Sequence, residues 1–273
     1  MKHPLRVLLL VCCLLLAACG GTATAPTASP SASVSAVTLN VFAAASLQES
    51  FTAMASQYQK SHPNVKITYN FAGSQVLEQQ IANGAPADIF ASADLANMQK
   101  ASAAGLVTAS QVFAKNRLVV IVPASNPAGI TSLKDLAKKG VKIVIGAVTV
   151  PAGKYSRQVL DKLAGSPDYG PAYKSAVLAN IVSQEDNVKA VVQKVQLGEA
   201  DAGFVYRTDV TAAVIGKVKV IDIPDTFNVV AAYPLAVVKN SSHATEAGAF
   251  VQYILSAEGQ AILTKYHFIS KDA

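Results

Sequence analysis

From residue 37 onward the chain alternates between short apolar runs rich in β-branched residues and longer stretches whose apolar positions recur at helical spacing. "VTLNVFAA" leads into "LQESFTAMASQYQK", where Leu47, Phe51, Met54, Ala55 and Tyr58 fall on one stripe. "VKITYNFA" leads into "SQVLEQQIANG", with Gly84 as the stop, and "ADIFAS" into "ADLANMQKASAAG", ending at Gly105. "RLVVIVPA" follows, then "VKIVIGAV" with "GKYSRQVLDKLAG", "LANIVS" with "DNVKAVVQKVQLG", and "DAGFVY". "NVVAAYPLAVVK" and a helix from about Thr245 to Tyr266 finish the pattern.

Strand–helix alternation of this kind predicts an α/β fold of mainly parallel sheets flanked by helices. The length is large for one sheet, so two lobes are expected. Crossings are placed near Arg117 and Ala232, giving a first lobe from residues 37–117, a second from 118–231 and a return of 232–273 to the first.

In open α/β sheets ligands bind beyond the carboxyl ends of strands, where helices begin. Four such turns stand out: "VFAAASLQES", "FAGSQ", "TVPAGK" and "SQEDNV". Two of them, "FAGSQ" and "TVPAGK", carry no carboxylate, the first of the four has only Glu49 beyond its serine, and the residues of these three are mostly small or apolar. Small side chains let a ligand approach the backbone, and N–H groups at helix starts favour anions. A site rich in donors and poor in acceptors fits a fully deprotonated oxyanion. Ser46 and Glu49 also spell S-x-x-E, a capping box, and a capping hydroxyl that accepts a hydrogen bond still has its own proton to donate. Ser74 has Leu77 three positions on, so no box explains it.

The beginning of the chain follows a different rule. Residues 1–18 combine a basic start (Lys2, His3, Arg6) with a short apolar run, the pattern of a signal peptide. Leu16-Ala17-Ala18-Cys19 resembles a lipobox, which implies cleavage before Cys19 and a lipid on it. Residues 19–36 then form an uncharged Ser/Thr/Ala/Pro-rich segment that reads as a flexible linker. These features predict an extracytoplasmic body held at the cell membrane, on its periplasmic side or at the cell surface, by a lipid alone. Cleavage also removes Cys12 and Cys13, leaving only Cys19, so neither a disulfide nor a cysteine metal site is expected.

Composition narrows the function further. The 273 residues are 15% charged, with a formal net charge of +6 and basic residues scattered rather than clustered, which argues against a nucleic-acid partner. "GAVTVPAGKY" follows a strand as a phosphate loop would, but the spacing is wrong and Tyr155 stands where Ser or Thr should hold magnesium. "AGSQV" breaks the nucleophile motif G-x-S-x-G at both ends. The four histidines are isolated, and no pair of carboxylates suggests acid–base work; Glu185 and Asp186 read as caps for the helix near Asn187. A non-enzyme without a cofactor is expected. A serine-dependent enzyme, with Ser46 as nucleophile assisted by Tyr206 or Lys154, lacks a base near the serine.

"VFAAASL", "FAGSQVLEQQI", "GAPADIFASAD", "VPAGKY", "DNVKAVVQKVQLGEADAGFVYRTDV" and "YPLAVV" together resemble the ModA-type molybdate-binding proteins of bacterial ABC importers, in order, from Val37 to Phe268. The resemblance implies the two-lobed, type II periplasmic-binding architecture with an oxyanion in the interlobe cleft. It places ligand donors at Ser46 and Ser74, each with N–H and hydroxyl, at the N–H groups of Ala152 and Val188, and at the hydroxyl of Tyr206. Asn187 is the alternative to Val188, because "EDNVK" carries an Asn that some relatives lack; Glu185 and Asp186 keep open a direct carboxylate contact to the metal. The implied ligand is molybdate, with tungstate beside it and sulfate or thiosulfate as rivals, bound as the oxyanion with no bare cation site. The implied partners are the importer's membrane permease subunits, and the binder is expected to be monomeric.

Overall fold

The apolar runs become strands and the striped segments become helices. The structure is a computed structural model that describes residues 35–273; the expected signal peptide, Cys19 and the expected linker up to residue 34 lie outside the described residues. The first part comprises β1 (Val37–Ala44), α1 (Gln48–Ser61), β2 (Val65–Ala72), α2 (Ser74–Ala82), β3 (Ile89–Ala91), α3 (Leu95–Ala103) and β4 (Gln111–Asn116). Next come β5 (Leu118–Pro123), β6 (Ile143–Gly146), α4 (Pro151–Ala164), α5 (Ala172–Ala179), β7 (Ile181–Glu185), α6 (Val188–Gln196), β8 (Ala202–Tyr206) and β9 (Val218–Asp222). The chain closes with β10 (Ala231–Val237), α7 (Ala244–Leu255), α8 (Ala257–Lys265) and β11 (Ile269–Ser270).

The strands form two sheets, ordered β11-β4-β10-β3-β1-β2 and β7-β6-β8-β5-β9. Pairing is parallel through β2-β1-β3 and through β7-β6-β8. The strands that return from the other side pair antiparallel, so both sheets are mixed where alternation alone predicts mainly parallel ones. A single residue, Arg117, separates β4 in the first sheet from β5 in the second. The chain re-enters the first sheet at β10, and α7 packs on β10 and β1 while α8 packs on α1.

Burial explains the patterns. All six residues of β5 are buried, and a strand covered on both faces reads as an unbroken apolar run. On α1 the stripe Leu47, Phe51, Met54, Ala55 and Tyr58 is buried, and on α6 so are Val188, Val191, Val192 and Val195. Gly84 and Gly105 end their helices at φ +84° and +69°, values an L side chain rarely adopts.

Besides the mixed pairing, α5, β9 and β11 are elements that the sequence pattern does not predict, and two further differences have a local cause. The helix expected over Thr245–Tyr266 is broken at Ser256, whose extended backbone stops α7 and whose hydroxyl accepts the Gly259 N–H to start α8. Strand β4 is not predicted because "QVFAKN" has only three consecutive apolar residues, Val112 to Ala114, between Gln111 and Lys115-Asn116.

Candidate functional site

Parallel strands of both sheets end at one small cavity. At the end of β1 and just past it lie Ala44, Ala45 and Ser46; at the end of β2 and just past it, Ala72, Gly73 and Ser74; and after β3, Ala93. The second sheet contributes Val150, Pro151 and Ala152 after β6, Asn187 and Val188 after β7, and Tyr206 at the end of β8. All five residues that the sequence singles out as donors therefore line one cavity. The cavity is small, with room for one compact group.

No lining residue has an ionisable carboxylate, ammonium, guanidinium or imidazole side chain. Polarity comes from hydroxyls and from helix starts. Ser74 is the first residue of α2, so its N–H belongs to the group that lacks an intrahelical partner. In α4, Pro151 takes the first position and the Lys154 N–H makes the bond to Val150 O, leaving the Ala152 N–H ahead of the helical ladder. Val188 opens α6 in the same way. Asn187 is the N-cap, its Oδ1 accepting the Ala190 N–H at 3.1 Å.

The hydroxyls are buried and specifically held. Ser46 is 3% exposed, and its Oγ lies 2.9 Å from Tyr233 Oη. Ser74 Oγ accepts the Ala93 N–H at 2.9 Å. Tyr206 is 1% exposed and its Oη has no hydrogen-bond partner, although a buried hydroxyl normally has one. Burial, with Tyr233 beside it, pushes the Tyr206 phenol well above its ordinary pKa, so it stays a donor.

The capping readings need correction. Ser46 makes no cap hydrogen bond; it sits in a 3-10 turn, Ala45–Leu47, that precedes α1, and its hydroxyl turns toward Tyr233. Glu49 turns outward to Lys189. The cap of α6 is Asn187 rather than Glu185 or Asp186. Glu185 pairs with Lys194 at 2.7 Å; burial alone would raise its pKa, but the Lys194 and Ser183 contacts bring it below the ordinary value. Lys154 stands 4.0 Å from Asp94, the buried N-cap of α3.

Sequence reasoning missed Ala93, Tyr233 and Asn116. Asn116 Nδ2 donates to Thr208 Oγ1 at 2.9 Å and to Tyr233 Oη at 3.3 Å. These groups are buried and join the end of β4 to the turn after β8, behind the Ser46 wall. The Tyr in "YPLAVV" carries a signal that was available: Pro in a paired strand marks an irregularity, and the register shifts between Tyr233 and Pro234.

Elsewhere the two sheet-centred halves touch through polar contacts. Gln75 Nε2 donates to Asp186 O at 2.9 Å, and Lys189 Nζ meets Glu49 at 2.8 Å. Ser46 has a phenol as its partner, not the imidazole or carboxylate that activates a nucleophilic serine.

Known proteins match over nearly the whole described chain. Residues 39–269 match the family described as bacterial extracellular solute-binding protein. The molybdate-binding protein ModA of Mycobacterium tuberculosis strain H37Rv is 37% identical over 255 residues, covering 93% of this chain and 92% of the relative. Among solved structures, the periplasmic molybdate-binding protein of Azotobacter vinelandii aligns with a TM-score of 0.73 at 23% identity, over 85% of this chain and 98% of that one. The sulfate-binding protein SubI from Mycobacterium tuberculosis H37Rv aligns with a TM-score of 0.75 at 18% identity, over 86% of this chain and 88% of that one. At these identities the two structural likenesses show the fold alone.

Proposed function

Because this chain belongs to the bacterial extracellular solute-binding protein family, we propose that it captures molybdate, and tungstate with it, for an ABC importer. The observation that carries this reading is the cavity itself. Five donors from two sheets surround one compact space, and no charged side chain of either sign enters it. A dianion with no proton can accept hydrogen bonds on every face. Charge-assisted bonds contribute about 1.5–3 kcal/mol each, so several of them hold such an ion without an arginine. The identity to a protein named for molybdate binding supports that ion over other tetrahedral dianions.

Ser46 and Ser74 would act from the part built on residues 37–117 and 232–273, and Ala152, Val188 and Tyr206 from the part built on 118–231. Bound anion would then favour the closed arrangement, where all donors work together, and the permease subunits would respond to closure. Val188 is the first residue of α6, so its N–H has no intrahelical acceptor, which favours it as the donor of that loop. The lipobox-like Leu16-Ala17-Ala18-Cys19 supports a lipid anchor that keeps the binder beside the permease.

Calorimetry with molybdate, tungstate, sulfate and phosphate tests the reading. Tight binding of the first two and much weaker binding of phosphate is expected. Equal, weak heats for all four would sink it. Tight binding of sulfate with weak molybdate would replace the ion but keep the donor cage.

A further inference from the structure

We propose that Asn116 and Tyr233 are positioning residues that fix the direction of the Ser46 hydroxyl, so that its proton is presented to the cavity. The inference rests on the oxyanion reading of this site and says how the site rejects an anion that still carries a proton.

The hydrogen-bond chain can be followed from its fixed end. Asn116 Oδ1 accepts the Arg117 backbone N–H at 2.9 Å, which sets the orientation of the amide. Nδ2 therefore faces Thr208 Oγ1 and Tyr233 Oη, and an amide nitrogen only donates. Tyr233 Oη, filled by that donor, must send its own proton elsewhere. Its other well-formed hydrogen bond is to Ser46 Oγ at 2.9 Å; Tyr206 Oη is a neighbour too, but among the described residues it makes no hydrogen bond of accepted geometry. The reverse arrangement, with Ser46 donating to Tyr233, would leave the fully buried Tyr233 proton only Tyr206 Oη to turn to, and that pair makes no hydrogen bond of accepted geometry, whereas Ser46 Oγ lies at 2.9 Å. With one Ser46 lone pair filled from behind, its proton is free for the cavity.

Ser74 is held in the same sense by independent means. Its Oγ accepts the Ala93 N–H, and a backbone N–H cannot be reversed. Both serines thus take a hydrogen bond from the protein interior and have a proton left for the ligand. Burial raises the Tyr233 phenol above its ordinary pKa, so it does not ionise and become an acceptor. The irregularity at Tyr233/Pro234 lies in a strand paired on both sides, a place where bulges redirect side chains.

The test uses the purified chain with molybdate and with phosphate at neutral pH, where phosphate keeps a proton. Wild-type protein must first bind molybdate; failure there overturns the proposed function rather than this relay. Asn116→Asp keeps the shape but offers an acceptor to Tyr233, drawing the Ser46 proton away from the cavity. It should weaken molybdate binding at least tenfold and narrow the molybdate-to-phosphate ratio. Tyr233→Phe should weaken molybdate binding in the wild-type background but have little further effect in the S46A background. An unchanged anion ratio in N116D, or an equal loss from Y233F in both backgrounds, overturns the proposal. Should the variants not fold, neutron diffraction of deuterated wild-type crystals decides it. A deuteron on Tyr233 Oη directed at Ser46 supports the relay, and one on Ser46 Oγ directed at Tyr233 overturns it.

Discussion

Lys189 Nζ lies 2.8 Å from Glu49 Oε2, tying α6 beside the second sheet to α1 beside the first. The same ammonium is 3.3 Å from Oδ1 of Asp209, a fully buried carboxylate whose Oδ2 accepts the Tyr206 N–H. Burial opposes the charge on Lys189, but the two carboxylates outweigh it and keep the lysine protonated. The partners differ in how much depends on them. Lys189→Met strands the Asp209 charge in the interior, and removing one partner of a buried pair costs about 3–5 kcal/mol. Glu49→Gln leaves the Lys189–Asp209 contact and should cost under about 1 kcal/mol, as exposed pairs do. Urea unfolding midpoints check this; equal losses from the two variants would show that the Asp209 contact is not the dominant one.

The serines predict a graded loss of affinity. On the proposed reading, Ser46→Ala and Ser74→Ala would each delete one hydroxyl bond to a charged ligand while keeping the backbone N–H. At about 1.5–3 kcal/mol per bond, each should weaken molybdate binding roughly 10- to 150-fold, with the double variant weaker than either. Calorimetry measures this, and thermal unfolding of the ligand-free variants checks that the fold is intact. A double variant that binds like wild type would remove both serines from the site.

Much of this was legible in the sequence because strands and helices here obey their periods. The alanine-rich ends of "VFAAAS" and "FAGS" announce small residues at strand termini, and their serines do reach the cavity. Tyr233, Asn116 and Ala93 were not legible as site components because their roles depend on pairing across the fold. Asn116 ends a strand with no apolar signature, 117 residues before the tyrosine it contacts. The Ser46–Glu49 box failed for a related reason: tertiary partners, Tyr233 and Lys189, competed successfully with the local cap. Mixed pairing also lay beyond periodicity, since β5 and β10 look alike whether they run parallel or antiparallel.

Gly73, in the turn before Ser74, packs closely against the backbone of Asp186 from the second sheet's side. A Cβ added there would stand 2.4 Å from Asp186 O, a backbone atom that cannot swing aside. Its φ of −63° is ordinary, so alanine would not strain the turn itself. Gly73→Ala should therefore hold the halves apart and weaken molybdate binding while leaving ligand-free stability close to wild type. Calorimetry and small-angle scattering with and without molybdate read the two effects. Normal binding together with normal ligand-induced compaction would show that the halves close by a different contact.

Tyr206 and Tyr233 are buried and Tyr69 is half-buried, and desolvation raises each phenol above its ordinary pKa near 10. The unfolded chain loses those protons at about pH 10, whereas the folded chain keeps them. Folding is then linked to proton retention: the stabilisation is complete below about pH 10 and drains away as pH climbs toward the folded values. Each tyrosine that ionises only on unfolding should remove about 1.4 kcal/mol per pH unit above that point. Guanidinium unfolding between pH 8 and 11.5 (approximate limits chosen around the reference value), read alongside tyrosinate absorbance, measures both sides of the linkage. The exposed fraction of the nine tyrosines should titrate first, with the remainder appearing together with loss of structure. If all nine ionise near pH 10 while the unfolding midpoint stays flat, Tyr206 is not the protected donor that the cavity requires.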